Sequence, residues 1–336
     1  MFFSKKTRTF FTATFVGTLS FLSSNSFAQS TPDELKKAFI EEMTTQHQFE
    51  KSDVEALLAK ASLSEAVLEA IQRPWEAKPW HQYYPIFLTE KRVKKGVEFW
   101  NTHADALKRA EQEIGVPAEM IVAIIGVETF YGAYKGKYPV LDALYTLGFH
   151  YPPRANFFRS ELQEYMLLTR EENFNPTELK GSYAGAMGLG QFISSSYRNY
   201  AIDFDDDGVR DILNNPVDAI GSVANYFKRH GWKKGEPVAF KAKTQGESFK
   251  DVLTDSLKYS HTWHDLTQNQ VELIDDNAAS IADSEKVKLL EFEIADGHEY
   301  WVGLPNFYVI TRYNHSPLYA MAVYQLSQQI KNAKNS

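Results

Sequence analysis

The chain has 336 residues, 43% of them hydrophobic and 24% charged, with a formal net charge of −7 and no cysteine. Its length allows two or three domains at ~100–200 residues each, and its composition is that of a globular protein. The acidic balance argues against nucleic acid, whose phosphates attract clustered Lys and Arg, and without cysteine the fold depends on packing or a metal rather than disulfides.

Lys5, Lys6 and Arg8 precede an apolar stretch over residues 10–22, and small and polar residues then lead to Ser26-Phe27-Ala28. Charged, apolar and small, in that order, describe a secretory signal peptide over residues 1–28. An uncleaved anchor is the alternative. The apolar stretch is short and broken by Thr, Gly and Ser, however, whereas a membrane span needs about 20 apolar residues. A lipid anchor at a processed N-terminus would need a Cys. The expectation is a soluble protein outside the cytoplasm.

Residues 32–113 read as mostly helical, with apolar residues at three and four spacings such as Val54, Leu57, Leu58 and Ala61. Ser52-Asp53-Val54-Glu55 offers a helix start. The aromatic, Pro-broken segment around Trp75, Trp80, Tyr83 and Tyr84 reads as loop, and a helix resumes over 97–113. Pro117, well suited to a first helical position, opens the most apolar helix, 117–131. Further helices are predicted at 140–147, 155–171, 194–200 and 216–230. From 231 to about 309 Gly, Thr, Ser and Asn increase. Short alternating runs at 287–292 and 299–302 there suggest a small β-rich insert. An amphipathic helix over 317–330 closes the chain.

Three segments could carry chemistry. In the first, the seven residues Ile121-Val122-Ala123-Ile124-Ile125-Gly126-Val127 lack polar side chains and run into Glu128. A helix apolar on all sides is buried, and burial raises a carboxyl's pKa. A carboxyl still protonated near neutral pH is what protonation of a glycosidic oxygen requires. Buried Glu residues are also often paired with Arg or Lys, and this stretch alone leaves both readings open. The second segment, residues 181–192, has glycines at 181, 185, 188 and 190, with Ser182 and Gln191 as polar groups on that frame. It permits close approach of a ligand or is simply a tight connection. No Gly-Lys-Ser/Thr follows, so a phosphate loop is excluded. In the third, Asp203, Asp205, Asp207 and Gly208 fit the first half of an EF-hand loop. Position twelve is Asn214 rather than Glu, and Asp218 could close the site or serve the start of its helix. A solvated acidic turn is the alternative. The nine His show no His-Glu-x-x-His spacing, and no Gly-x-Ser-x-Gly elbow occurs.

Together and in this order, the three segments resemble the lytic murein transglycosylases of the membrane-bound B family, in particular the soluble form. Residues 217–227, Gly303-Leu304-Pro305-Asn306-Phe307-Tyr308 and Tyr313-Asn314-His315-Ser316 share in the resemblance, which covers almost all of the mature chain. It implies a mainly α fold, with a lysozyme-like helical core, an additional helical domain and a small β-rich insert. The implied boundaries are an N-terminal helical domain over 29–113, the catalytic core with its EF-hand-like loop over 114–232, the β insert over 233–304 and the rest of the core over 305–336. The resemblance implies Glu128 as the catalytic acid/base. It also implies sugar contacts from Ser182, Gln191, Tyr226, Tyr313 and Asn314, and from the less securely placed Tyr83, Arg154 and Tyr319. The implied ligands of a structural Ca2+ are Asp203, Asp205, Asp207, the Val209 carbonyl and Asp218. No organic cofactor is implied. The expected partner is the peptidoglycan glycan strand, with room for other cell-wall enzymes, and the expected state is a monomer in the periplasm. Two features depart from the family: Pro153 stands where relatives carry a second Arg, and the lipid-anchoring Cys is missing.

Overall fold

The computed structural model describes residues 31–73, 78–274 and 281–336. The segment read as a signal peptide, and Trp75, lie outside the described residues. Among these, no helix is long and apolar enough to cross a membrane.

The molecule is mainly helical. The chain starts with α1 (Pro32–His47), closed by a capping box between Thr31 and Glu34, then α2 (Lys51–Lys60) and α3 (Glu65–Ile71). The α2 start falls one residue before the predicted Ser52 signal, and its N-cap, Glu50, makes no side-chain capping bond. The aromatic segment read as loop contains a helical turn, α4 (Trp80–Tyr83), continued by a 3-10 turn Tyr84–Ile86. Tertiary packing overrides its prolines: Trp80 is 2% exposed and lies 5.3 Å from the Phe292 ring. The helix predicted over 97–113 is two helices, α5 (Glu90–Thr102) and α6 (Ala104–Glu113), broken at His103.

The centre is α7 (Ala118–Thr129), in which every residue except Glu128 is buried. It packs against α5, α6, α11 (Pro216–Arg229) and the terminal helix α14 (Pro317–Asn335). Gly96 of α5 and Gly126 of α7 make room for one ring between them. A Cβ at either position would lie 2.6 Å from the Tyr131 hydroxyl, which donates to the Arg92 carbonyl. A pair of two-residue strands, β1 (Tyr138–Pro139) and β2 (Lys180–Gly181), brackets α8 (Val140–His150) and α9 (Ala155–Glu171). Helix α10 (Ser194–Tyr200) follows the glycine-rich stretch.

The predicted β insert is a five-stranded antiparallel sheet in the order β4-β6-β7-β3-β5. Its strands are β3 (Ala239–Thr244), β4 (His261–Thr262), β5 (Val271–Leu273), β6 (Lys286–Ile294) and β7 (Gly297–Gly303), with α12 (Trp263–Gln268) packed on it. Strand β6 is buried on both faces. Val287 and Leu289 join a separate small core with Phe249, Val252, Leu266 and Val302, whereas Leu290 and Phe292 face the main helical core. Alternation with period two explains that division. The β character ends earlier than the predicted 309, because Pro305 opens α13 (Pro305–Tyr313), which leads into α14.

Candidate active site

Glu128 sits one residue before the C-terminus of α7, followed by Phe130 and Tyr131 in left-handed backbone at φ 51° and 61°. These two residues reverse the chain directly beyond the carboxyl. Burial pushes Glu128 up to about 7, and a hydrogen bond from Tyr319 partly opposes that rise. The Tyr319 hydroxyl donates to Glu128 Oε1 at 2.5 Å. The helix C-terminus adds to the preference for a neutral carboxyl, since its exposed carbonyls carry negative partial charge. Tyr319 is 3% exposed on α14, and both it and Tyr313 titrate far above the usual phenol range through burial and the Glu128 charge.

The glycine-rich stretch forms a wall beside this carboxyl. Met187 and Phe192 pair backbone to backbone, and the Thr129 hydroxyl donates to the Leu189 carbonyl at 2.9 Å. The bond ties the residue after Glu128 to the wall. Gly190 leaves room for Tyr313, whose hydroxyl lies 2.9 Å from where a Cβ would stand and donates to the Gly190 carbonyl at 2.6 Å. Gly136 is held against Gly181 at φ 97°, and a Cβ there would fall 2.0 Å from the Gly181 carbonyl carbon.

Glu128, Tyr319, Tyr313 and Gln191 therefore share one region of the fold, and Tyr83 is near enough to Tyr319 that its ionisation would raise the Tyr319 pKa. Gln191 Nε2 donates to the Gly188 and Lys135 carbonyls. The Ser182 Oγ accepts from the Ala184 and Ala186 amides. Tyr226 lies behind Tyr313, with ring centroids 4.7 Å apart, and its hydroxyl is committed to the Arg312 carbonyl at 2.5 Å. Tyr226 is 7% exposed, beside 4% for Tyr83 and 3% for Tyr319. Asn314 ends α13, and its carbonyl accepts from the Ser316 amide. Arg154 is exposed on a 3-10 turn before α9, over the rings of Phe157 and Phe158 on that helix. Thr129 was not read from the sequence. A hydroxyl residue next to the carboxylate, closing an otherwise apolar run, was the available sign.

In the acidic loop, Asp203, Asp205 and Asp218 each bring a carboxylate oxygen within 4.8 Å of the others. Asp218 is fully buried, and burial together with the charges of Asp205 and Asp203 raises its pKa. Its two oxygens accept from the Phe204 and Asp211 amides. A buried carboxylate beside two others suits a cation, because hard oxygens this close repel one another without one. Asp207 is not part of that gathering. Its Oδ1 accepts from the Val209 amide at 2.8 Å, in a tight turn set by Asp206 at φ 62° and Gly208 at φ 93°. The three carboxylates fit a hard divalent ion such as calcium.

Comparison with known proteins agrees with this geometry. Residues 31–328 match the model of the transglycosylase SLT domain family. The chain is 44% identical over 307 residues to membrane-bound lytic murein transglycosylase B of Escherichia coli, covering 88% of this chain and 82% of that protein. The soluble lytic transglycosylase SltB1 of Pseudomonas aeruginosa superposes with a TM-score of 0.84 at 49% identity, over 90% of this chain and 100% of that one. The E. coli lytic transglycosylase Slt35, solved in complex with calcium, superposes with a TM-score of 0.81 at 43% identity, over 90% of this chain and 94% of that one. The chain belongs to the transglycosylase SLT family, among the peptidoglycan-cleaving lytic murein transglycosylases of the B type.

Proposed function

We propose that the protein cleaves the β-1,4 bond between N-acetylmuramic acid and N-acetylglucosamine, with Glu128 as acid and then base. The observation that carries this is a carboxyl held up to about 7 by burial and hydrogen-bonded to Tyr319 at 2.5 Å. Half of such groups are protonated at neutral pH, which suits a proton donor to a glycosidic oxygen. As the C1–O bond breaks, the proton passes from Glu128 to the leaving oxygen, and the Tyr319 hydroxyl steadies the new carboxylate. Positive charge develops at C1. Paired-carboxylate enzymes meet it with a second Asp or Glu; here the substrate's own N-acetyl oxygen takes that part. Glu128 then accepts the proton of the C6 hydroxyl as O6 bonds to C1. The product is a 1,6-anhydro-N-acetylmuramic acid end, with no water consumed. A nucleophile in the same sugar ring acts at high effective concentration.

Ser182, Gln191, Tyr226, Tyr313, Asn314, Tyr83 and Tyr319 would orient the sugars, with Arg154 toward the peptide stem. Asp203, Asp205 and Asp218 would hold Ca2+, whose chemistry is neutralisation of three carboxylates and fixing of the loop. Export to the periplasm follows from residues 1–28, with the mature chain soluble there. Glu128→Gln removes only the titratable proton. It should abolish turnover of purified peptidoglycan while retaining fold and glycan binding, and activity within tenfold of the parent would overturn the assignment.

A further inference from the structure

Aromatic contacts continue outward from Tyr83. Its ring lies 5.1 Å from Phe87. The Arg92 guanidinium is 5.3 Å from the Phe87 centroid and 5.1 Å from that of Phe130, so one cation bridges two rings. Lys91 Nζ lies 5.6 Å from Phe130, and Phe130 is 6.1 Å from Tyr134. Left-handed backbone at Phe130 and Tyr131 divides the two side chains. Tyr131 packs inward between α5 and α7, and Phe130 stays on this strip, two residues from Glu128.

Tyr83 is part of the main core and Phe87 packs against it, as Tyr131 does, whereas Phe130 and Tyr134 stand outside it. Tyr134 is 72% exposed, so its ring is open to a ligand. Arg92 is fixed by donation to the Ile86 carbonyl at 2.5 Å, yet its buried Nε has no partner. Lys91, Arg92, Lys94 and Lys95 put four cations into five residues of a chain whose net charge is −7. A row of aromatic rings, tilted by 44° and 49° between neighbours and set among cations, matches a polymer of pyranose rings carrying acidic side branches. Sugar faces stack on aromatic rings, and carboxylates meet Lys and Arg.

We propose that Phe87, Phe130 and Tyr134 form a distal subsite for the peptidoglycan strand, beyond the two sugars on either side of the cleaved bond. Lys91 and Arg92 meet the carboxylates of its stem peptides. The inference rests on the reading of Glu128 as the group that cleaves that strand. It makes the enzyme more effective on long, peptide-bearing strands than on fragments that occupy only the four central positions.

The test is kcat/KM for the parent, Tyr134→Ala and Lys91→Glu on three substrates: long strands with stems, long strands stripped of stems by an amidase, and a tetrasaccharide. Both residues are exposed, and neither belongs to the catalytic machinery. Tyr134→Ala should lose about tenfold on both long substrates, mainly through KM, and stay within twofold on the tetrasaccharide. Lys91→Glu should lose about fivefold on stem-bearing strands alone. Long-strand rates within twofold of the parent, or equal losses on all three substrates, would overturn the subsite. A parent protein inactive on every substrate would instead overturn the reading of Glu128.

Discussion

Glu128→Gln should make the protein more stable at alkaline pH while it removes activity. The folded-state pKa of Glu128 is about 7, against an ordinary value of 4.5. A carboxyl raised in this way binds its proton more tightly in the folded state. It therefore costs nothing below pH 4.5 and progressively destabilises the fold as pH rises to 7. Each pH unit is about 1.4 kcal/mol, so the full cost above pH 7 is about 3 kcal/mol. Gln cannot ionise, and its carbonyl can still accept from Tyr319, so the variant escapes that cost. Urea unfolding of parent and variant at pH 5 and pH 8 measures it. The variant should gain about 3 kcal/mol over the parent at pH 8 and only about 1 kcal/mol at pH 5. Equal stabilities at pH 8, or a gain that does not change with pH, would refute the claim that Glu128 is held protonated by burial.

Tyr319→Phe removes the donor that lowers the Glu128 pKa. A hydrogen bond to a charged group is worth ~1.5–3 kcal/mol, so the alkaline limb of the kcat/KM profile should move up by at least about one pH unit; an unmoved limb counts against the pairing. Calcium should raise the melting temperature of the parent and not of an Asp203→Ala, Asp205→Ala double variant, with ~2.7 kcal/mol at a hundredfold excess over Kd. Magnesium, which demands a stricter octahedral shell, should do less, and an equal rise in the double variant would dismiss the site. Gly136→Ala introduces a Cβ 2.0 Å from Gly181 at φ 97° and should cost at least about 1–3 kcal/mol, read by denaturant midpoint; a neutral effect would mean the wall is not packed this way.

The helical body was legible wherever local chemistry and packing agreed. Helix α9 starts and ends where its apolar period does, and α7 stands out because eleven of its twelve residues are buried. The sequence did not reveal α4, because Pro79 and Pro85 suggest a loop and the helical turn is held by Trp80 against Phe292, more than two hundred residues away. Nor did it reveal α13, whose Pro305 start follows a strand without a polar spacer. In the acidic loop, the spacing made Asp203, Asp205 and Asp207 legible, whereas the approach of Asp218 from the next helix to Asp203 and Asp205 is a tertiary contact. The Tyr319 contact with Glu128 spans 191 residues. No local pattern encodes it, and the family resemblance offered Tyr319 only as a sugar contact.

The mass of the products tests the proposed reaction most directly. Purified peptidoglycan digested by the mature protein should release muropeptides ending in 1,6-anhydro-N-acetylmuramic acid, each lighter by one water than the product of hydrolysis at the same bond. Muropeptides carrying only reducing ends would contradict intramolecular attack by the C6 hydroxyl and make the enzyme a hydrolase.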